Sequence, residues 1–300
     1  MLKFQNVSIY QKKRKIVDNL NLELSDGVIF GLVGSDEIAK TAILRAAAGC
    51  QAPEKGRIFL GEQSVYPVKD TFLHTGYMTK NHVFYDQLSV EEYYELFLAL
   101  YKVNGRYRKR RVKEVLNLLE MEQFSDTLLG EIPEEYKPFL ALGKTILHEP
   151  SWLLLDHPFQ ELNMSLRKRM LDVLDMLWEQ GISLVLSTEI FPEITPIMEN
   201  IAVIENGQIV SSGTIESVYE KALRENPIRM RILDGMEAAL QVFRQNDLVY
   251  RVTVDHERVM ILFSGGDKEE AELLSDLIKA GTLIQNFQRE TMNLDQMIWG

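Results

Sequence analysis

Val28-Ile29-Phe30-Gly31-Leu32-Val33-Gly34, followed at once by Ser35-Asp36-Glu37-Ile38-Ala39-Lys40-Thr41, sets a short unbroken apolar run against a polar connection. A run of this length, rich in β-branched and aromatic residues and ended by glycine, predicts a strand buried on both faces. The connection leads into an alanine-rich segment, Lys40 to Ala48, which reads as a helix closed by Gly49 at its C-cap. Gly34 to Thr41 also has the spacing G-x-x-x-x-G-K-[ST], with Ala39 where the second glycine belongs. In that pattern backbone N–H groups approach phosphates, the lysine reaches the β- and γ-phosphates, and the hydroxyl meets magnesium.

Working outward, Met1 to Ile9 and Ile16 to Leu24 read as strands ahead of this unit. Downstream, Ser89-Val90-Glu91-Glu92 is a cap signal for a helix with apolar residues at Tyr93, Leu96, Phe97 and Leu100. Further helices are predicted over Arg110 to Met121, Pro138 to Leu147 and Leu166 to Glu179, the last with Met164, Met170 and Met176 read as core filler. Trp152-Leu153-Leu154-Leu155-Asp156 and Ile182 to Ser187 read as buried strands. Ile201 to Glu205 and Gln208 to Ser212 form a hairpin about Asn206-Gly207. This alternation implies an α/β core on a mostly parallel sheet. After Glu225-Asn226-Pro227 the pattern restarts: strand (Ile228 to Leu233), helix (Met236 to Arg244), strands (Leu248 to Val254, Arg258 to Phe263), helix (Lys268 to Lys279), strand (Leu283 to Arg289). The order βαββαβ is that of a small α+β, ferredoxin-like domain, and the boundary is placed near 226.

A chain of 300 residues buries roughly 75% of its extended surface and needs no metal or disulfide staple. The single cysteine, Cys50, reads as a buried small apolar residue, and a reducing compartment follows. A formal net charge of -11 excludes a general nucleic-acid binder, which needs clustered cations. The one basic run, Arg106 to Arg111, is expected on a solvated connection. No apolar run approaches the ~18 residues of a membrane span, and the first residues lack a signal-peptide core.

Read in order, residues 1 to 225 resemble ATP-binding subunits of ATP-binding-cassette (ABC) transporters. Tyr10 falls at the aromatic position that stacks on adenine. Gly76-Tyr77-Met78-Thr79-Lys80 falls at the glutamine loop, Leu153 to Pro158 at Walker B, Ser187-Thr188-Glu189 at the switch histidine, and Glu205 to Gly213 at the closing hairpin. The C-terminal βαββαβ segment, ending in Asn293 to Ile298, resembles the appendage of drug-export-type subunits. The resemblance implies a P-loop NTPase cassette over 1–225, with a helical subdomain over about 81–148, and an appendage over 226–300. It implies ATP bound by Tyr10, Gly34, Ala39, Lys40, Thr41 and Asp156, with Thr41 and Asp156 on Mg2+.

The departures from the family lie in the chemistry. Glu37 stands at an additional loop glycine, and Lys80 replaces the glutamine. Ile132-Pro133-Glu134-Glu135-Tyr136 replaces the Leu-Ser-Gly-Gly-Gln signature, His157 the catalytic glutamate, and Glu189 the switch histidine. Loss of a positioned general base alone lowers a rate by ~10²- to 10⁴-fold, so efficient hydrolysis by this chain alone is not expected. His157 is read as loss rather than as a substitute base. For Lys40, Thr41 and Asp156 two readings stay open: Mg-ATP held without turnover, or helix-start and strand-end residues with no ligand. The expected function is a transporter nucleotide-binding subunit, an exporter by its appendage, heterodimerised with a more competent ATPase. It would be cytoplasmic, held on the inner face of the membrane by transmembrane subunits, with Tyr85 and Leu88 in a docking groove that Tyr93 and Phe97 could extend, although the spacing of those two favours their helix's own core face. A scaffold blind to nucleotide and an atypical active ATPase are the alternatives.

Overall fold

The computed structural model describes residues 1–67, 73–188, 197–218 and 227–289. Glu189 and the segment Asn293 to Ile298 lie outside them. The chain divides into two compact units, Met1–Ile215 and Glu216–Gly300, a division ahead of the boundary expected at 226.

In the first unit, β3 (Ile29–Val33) is buried at every position, as its apolar run requires. It lies inside a six-stranded sheet with β6 (Thr75–Met78), β7 (Trp152–Asp156), β8 (Ser183–Ser187), β9 (Asn200–Glu205) and β10 (Gln208–Thr214). The order is β10-β9-β3-β8-β7-β6. β3 is parallel to β8 and β9, β7 is parallel to β6 and β8, and β10 alone runs antiparallel. A second, antiparallel sheet has the order β2-β1-β4-β5, formed by β1 (Leu2–Gln11), β2 (Arg14–Leu24), β4 (Lys55–Leu60) and β5 (Gln63–Ser64). Its β4 and β5 escaped the sequence reading. One core joins the sheets through α1 (Glu37–Ala47), whose Ala39, Ala42, Ile43, Leu44 and Ala46 share a cluster with Val7, Ile9 and Leu20 of one sheet and Leu32, Leu154 and Val185 of the other. Small residues on α1 let both sheets approach, while each fully buried leucine, isoleucine or valine contributes about 1.5–3 kcal/mol.

The remaining helices are α2 (Val90–Leu100), α3 (Gly105–Leu118), α4 (Lys137–Ile146) and α5 (Met164–Glu179). α1 begins before the expected Lys40, because the Asp36 carboxylate caps its first turn. The basic run 106–111 is helical, on the first half of α3, rather than a connection. There Arg111 donates to the carbonyls of Ile146 and Leu147, which binds the end of α4 to α3. Only Met170 of the α5 methionines is core; Met164 is 88% and Met176 40% exposed, on the solvent side. Cys50 is exposed, since Gly49 at φ +78° ends α1 and turns the chain outward.

The second unit runs β11 (Ile228–Asp234), α6 (Met236–Gln245), β12 (Val249–Asp255), β13 (Arg258–Phe263), α7 (Asp267–Lys279) and β14 (Leu283–Arg289). Its sheet has the order β12-β13-β11-β14, with every pairing antiparallel. Ile228, Met230 and Ile232 alternate inward along β11 and meet Ile261, Phe263, Phe243, Leu273 and Leu277 in a core of the unit's own.

Candidate phosphate site

The site lies where the carboxyl ends of parallel strands meet the start of a helix, the common place for a ligand in an open α/β sheet. Gly34 ends β3 at φ +111°, and a Cβ there would stand 2.3 Å from the Ile204 carbonyl oxygen, so only glycine lets the loop pass over β9. Asp36 then starts α1. Its Oδ1 accepts from the Ala39 N–H (3.1 Å) and its Oδ2 from the Gly207 N–H in the β9–β10 turn (2.8 Å). One carboxylate thereby satisfies a first-turn donor of the helix and ties the loop to the hairpin.

Lys40 is fully buried, and its Nζ donates to the Thr188 carbonyl at 2.9 Å. Thr41 Oγ1 donates to Asp156 Oδ2 at 2.8 Å, joining α1 to the end of β7. The other oxygen of Asp156 accepts from Ser187 Oγ of β8 (2.6 Å) and lies 3.0 Å from His157 Nδ1. His157 takes φ +55° and is 7% exposed. Burial pushes its imidazole down to about 4; Lys80 and Lys40 act in the same direction, while Asp156 opposes them. Lys80, beyond β6, forms an ion pair with Glu37 in the first turn of α1 at 2.5 Å.

Glu37, Lys40, Thr41, Lys80, Asp156 and His157 are thus one neighbourhood, as the motif order implied. Tyr10 is half-exposed near the end of β1, with its backbone N–H on Glu54 Oε2. Residues 132–136 lead into α4: Ile132 is buried, Pro133, Glu134 and Glu135 are exposed, and Lys137 pairs with Glu134. Tyr93 is a core residue, as its helical spacing favoured: it is 1% exposed and packs edge-on against Phe97 at 4.9 Å, while Tyr85 is 56% and Val83 79% exposed. Three features escaped the sequence reading. Asp36 caps α1 and clips the loop, which an aspartate three residues before Ala39 signals. Ser187 anchors Asp156, and Asp156 itself is the carboxylate beside His157; no local pattern announces either.

The family implies ATP and magnesium. The Thr41 hydroxyl and Asp156 carboxylate are hard oxygen donors side by side and fit Mg2+. The loop does not fit a triphosphate as it stands. The Ala39 N–H is committed to Asp36, Lys40 to a backbone carbonyl, and a second carboxylate, Glu37, borders the same turn.

The strand order, the loop ahead of α1 and the convergence on Asp156 define a P-loop NTPase fold of the ABC-cassette type. Residues 17–160, just under half of the chain, match the family model described as ABC transporter, so this stretch is similar to an ABC transporter ATP-binding domain. The chain is 29% identical over 217 residues to a probable sulfate/thiosulfate import ATP-binding protein (CysA) of Chlorella vulgaris, covering 72% of this chain and 92% of that protein. It is 28% identical over 217 residues to a spermidine/putrescine import ATP-binding protein (PotA) of Thermotoga maritima, 72% of this chain but 59% of the relative. A PotA of Oleidesulfovibrio alaskensis aligns over 260 residues at 26% identity, 85% of this chain and 69% of the relative. All three are named as import proteins, whereas the appendage had suggested an export-type subunit. Among solved structures, an ATP-binding subunit of an ABC transporter superposes with TM-score 0.67 at 18% identity, covering 74% of this chain and 93% of that one. A dimeric post-hydrolysis cassette bound to ADP and Pi superposes with TM-score 0.65 at 19% identity, covering 72% and 99%. Among the described residues, no helix is long and apolar enough to cross a membrane.

Proposed function

We propose that this chain is the coupling member of an ABC transporter's pair of nucleotide-binding subunits: it carries the cassette that engages transmembrane subunits, while a more competent ATPase partner supplies hydrolysis. The observation that carries this reading is the combination of a complete cassette core with a phosphate loop occupied by the chain's own charges. The fold is kept down to the Thr41–Asp156 contact. Yet His157 follows Asp156, and Pro133, Glu134 and Glu135 stand in the signature segment, so both halves of a shared site are altered. A homodimer would carry two sites weakened in both halves, whereas each site of a heterodimer would be weakened in one half only, which favours a heterodimer.

The relatives' names support uptake rather than the export first expected; the βαββαβ order of the second unit, which we read as a ferredoxin-like appendage, is what supports export. Substrate accumulation in inside-out against right-side-out vesicles separates the two. The docking surface in this reading is the exposed rim formed by Val83 and Tyr85, with the buried Tyr93 and the half-buried Phe97 packed behind it. The test is co-purification from membranes: the double variant Val83→Asp, Tyr85→Asp is expected to lose its transmembrane subunits and partner ATPase at unchanged melting temperature. Wild-type protein that purifies without any membrane subunit sinks the proposal.

A further inference from the structure

We propose that Glu37 and Lys80 form an internal latch which occupies the mouth of the phosphate loop, so that the loop is held shut by the chain's own charges. The inference rests on reading this loop as a nucleotide-type cradle, and it says why that cradle rejects a triphosphate. In sequence the two residues are separate departures, a carboxylate at a glycine position and an ammonium at a glutamine position. In the fold they are one feature, meeting at 2.5 Å between α1 and the end of β6.

Each residue alone would be poorly placed. Glu37 would set a second carboxylate beside Asp36 in the first turn of α1, with Asp156 at the same end of the sheet. Lys80 would add a cation to Lys40 beside a histidine whose imidazole burial already keeps neutral. Paired, they cancel. The start of α1 attracts an anion through its dipole and its free N–H groups, and here that demand is met by Asp36 as cap and Glu37 as first-turn acid. A triphosphate must therefore displace one carboxylate and approach another, while the nearest mobile cation is already neutralised. The Glu37 side chain is 45% and that of Lys80 28% exposed. An ion pair so exposed is weak in itself, so the latch acts by where it puts charge rather than by the strength of the bond.

The test is a double-mutant cycle on the full chain, titrating Mg-ATP calorimetrically into wild type, Glu37→Gly, Lys80→Gln and the double variant. Glu37→Gly is expected to bind at least about tenfold more tightly than wild type, since a carboxylate is removed from beside the phosphates and the Lys80 charge is no longer offset by Glu37. Lys80→Gln is expected to bind no better than wild type. Removing Lys80 should cut the gain from Glu37→Gly by about threefold or more, the non-additivity of residues that act on each other. A Glu37→Gly affinity within about twofold of wild type, or a gain untouched by Lys80→Gln, overturns the latch. Should the glycine variant fail to fold, Glu37→Gln, which keeps shape and loses charge, carries the same expectation. Co-purification with membrane subunits is scored on the same preparations. A latch that fails while co-purification persists leaves the transporter reading standing; lost co-purification with the expected cycle removes only that reading.

Discussion

His157 shows how one residue ties the site to the stability of the whole domain. Its folded pKa, about 4, lies below the ordinary value of 6.5, because burial disfavours the imidazolium and Lys80 and Lys40 repel it. Between those values the unfolded chain takes up the proton and the folded chain does not. The contribution is therefore complete above about pH 6.5 and is lost as pH falls towards 4. His82, also pushed down to about 4 by burial and by Lys144, titrates in the same window with the same sign. Urea unfolding between pH 7 and 4 should show stability declining with acid, and His157→Gln should remove on the order of 2 kcal/mol of that decline, leaving the shares due to His82 and to His148, whose imidazole burial also holds down. An identical slope in the variant would mean that His157 is readily protonated in the folded protein. Gly34 makes a separate demand. With φ +111° and the Ile204 carbonyl 2.3 Å from any Cβ, Gly34→Ala must move β9 or the loop. A loss of about 2 kcal/mol or more is expected in the same unfolding assay.

At the scale of elements, local rules and packing divide the work. α2 opens with a full capping box: Ser89 Oγ accepts from the Glu92 N–H and the Glu92 carboxylate from the Ser89 N–H. Ser89→Ala should cost about 1 kcal/mol, read as a shift of the denaturation midpoint at unchanged slope. That box was legible because it is written in four adjacent residues. So were β3, β7 and β8, because a strand covered on both faces must be apolar throughout. β4 was not: Lys55, Gly56 and Arg57 open it at an exposed end, and its place is set by antiparallel pairing with β1, which no window of sequence contains. The first half of α3 was hidden for a related reason. Arg106 to Arg111 lack an apolar stripe, and the helix is held by Val112, Val115 and Leu116 further along and by Arg111 on the carbonyls of α4. The site divides in the same way. Lys40, Thr41 and Asp156 were legible by motif, whereas Thr188 as the acceptor of Lys40, Ser187 as a donor to Asp156, and the meeting of Lys80 with Glu37 depend on which strand ends the sheet order brings together. The approach of α4 to α2 is equally invisible in sequence. Gly143 lets the buried Tyr94 hydroxyl reach the Leu140 carbonyl at 3.0 Å, and a Cβ at Gly143 would stand 2.0 Å from that hydroxyl oxygen.

For the whole molecule, the question is whether two compact units are also two folding units. Glu216–Gly300 has a complete antiparallel sheet and a core in which Ile228, Phe243, Ile261, Phe263, Leu273 and Leu277 are each 1% exposed or less. A closed core of that kind meets the requirement for independent folding, but a domain this small retains only about 3–5 kcal/mol. The first unit, with its two sheets joined through α1, buries far more and should be the more stable. Residues 216–300 expressed alone are therefore expected to fold, with dispersed amide resonances and a cooperative melt, and the full chain should unfold in two steps, the smaller unit first. The test is differential scanning calorimetry of the full chain beside each half. If the isolated C-terminal half is unfolded while the full chain melts in one step, the second unit depends on the first and the appendage is a part of the cassette. If the halves reproduce the two steps, the appendage is a separate module, and its deletion should leave the charge-filled phosphate loop and its Mg-ATP response as they are in the full chain.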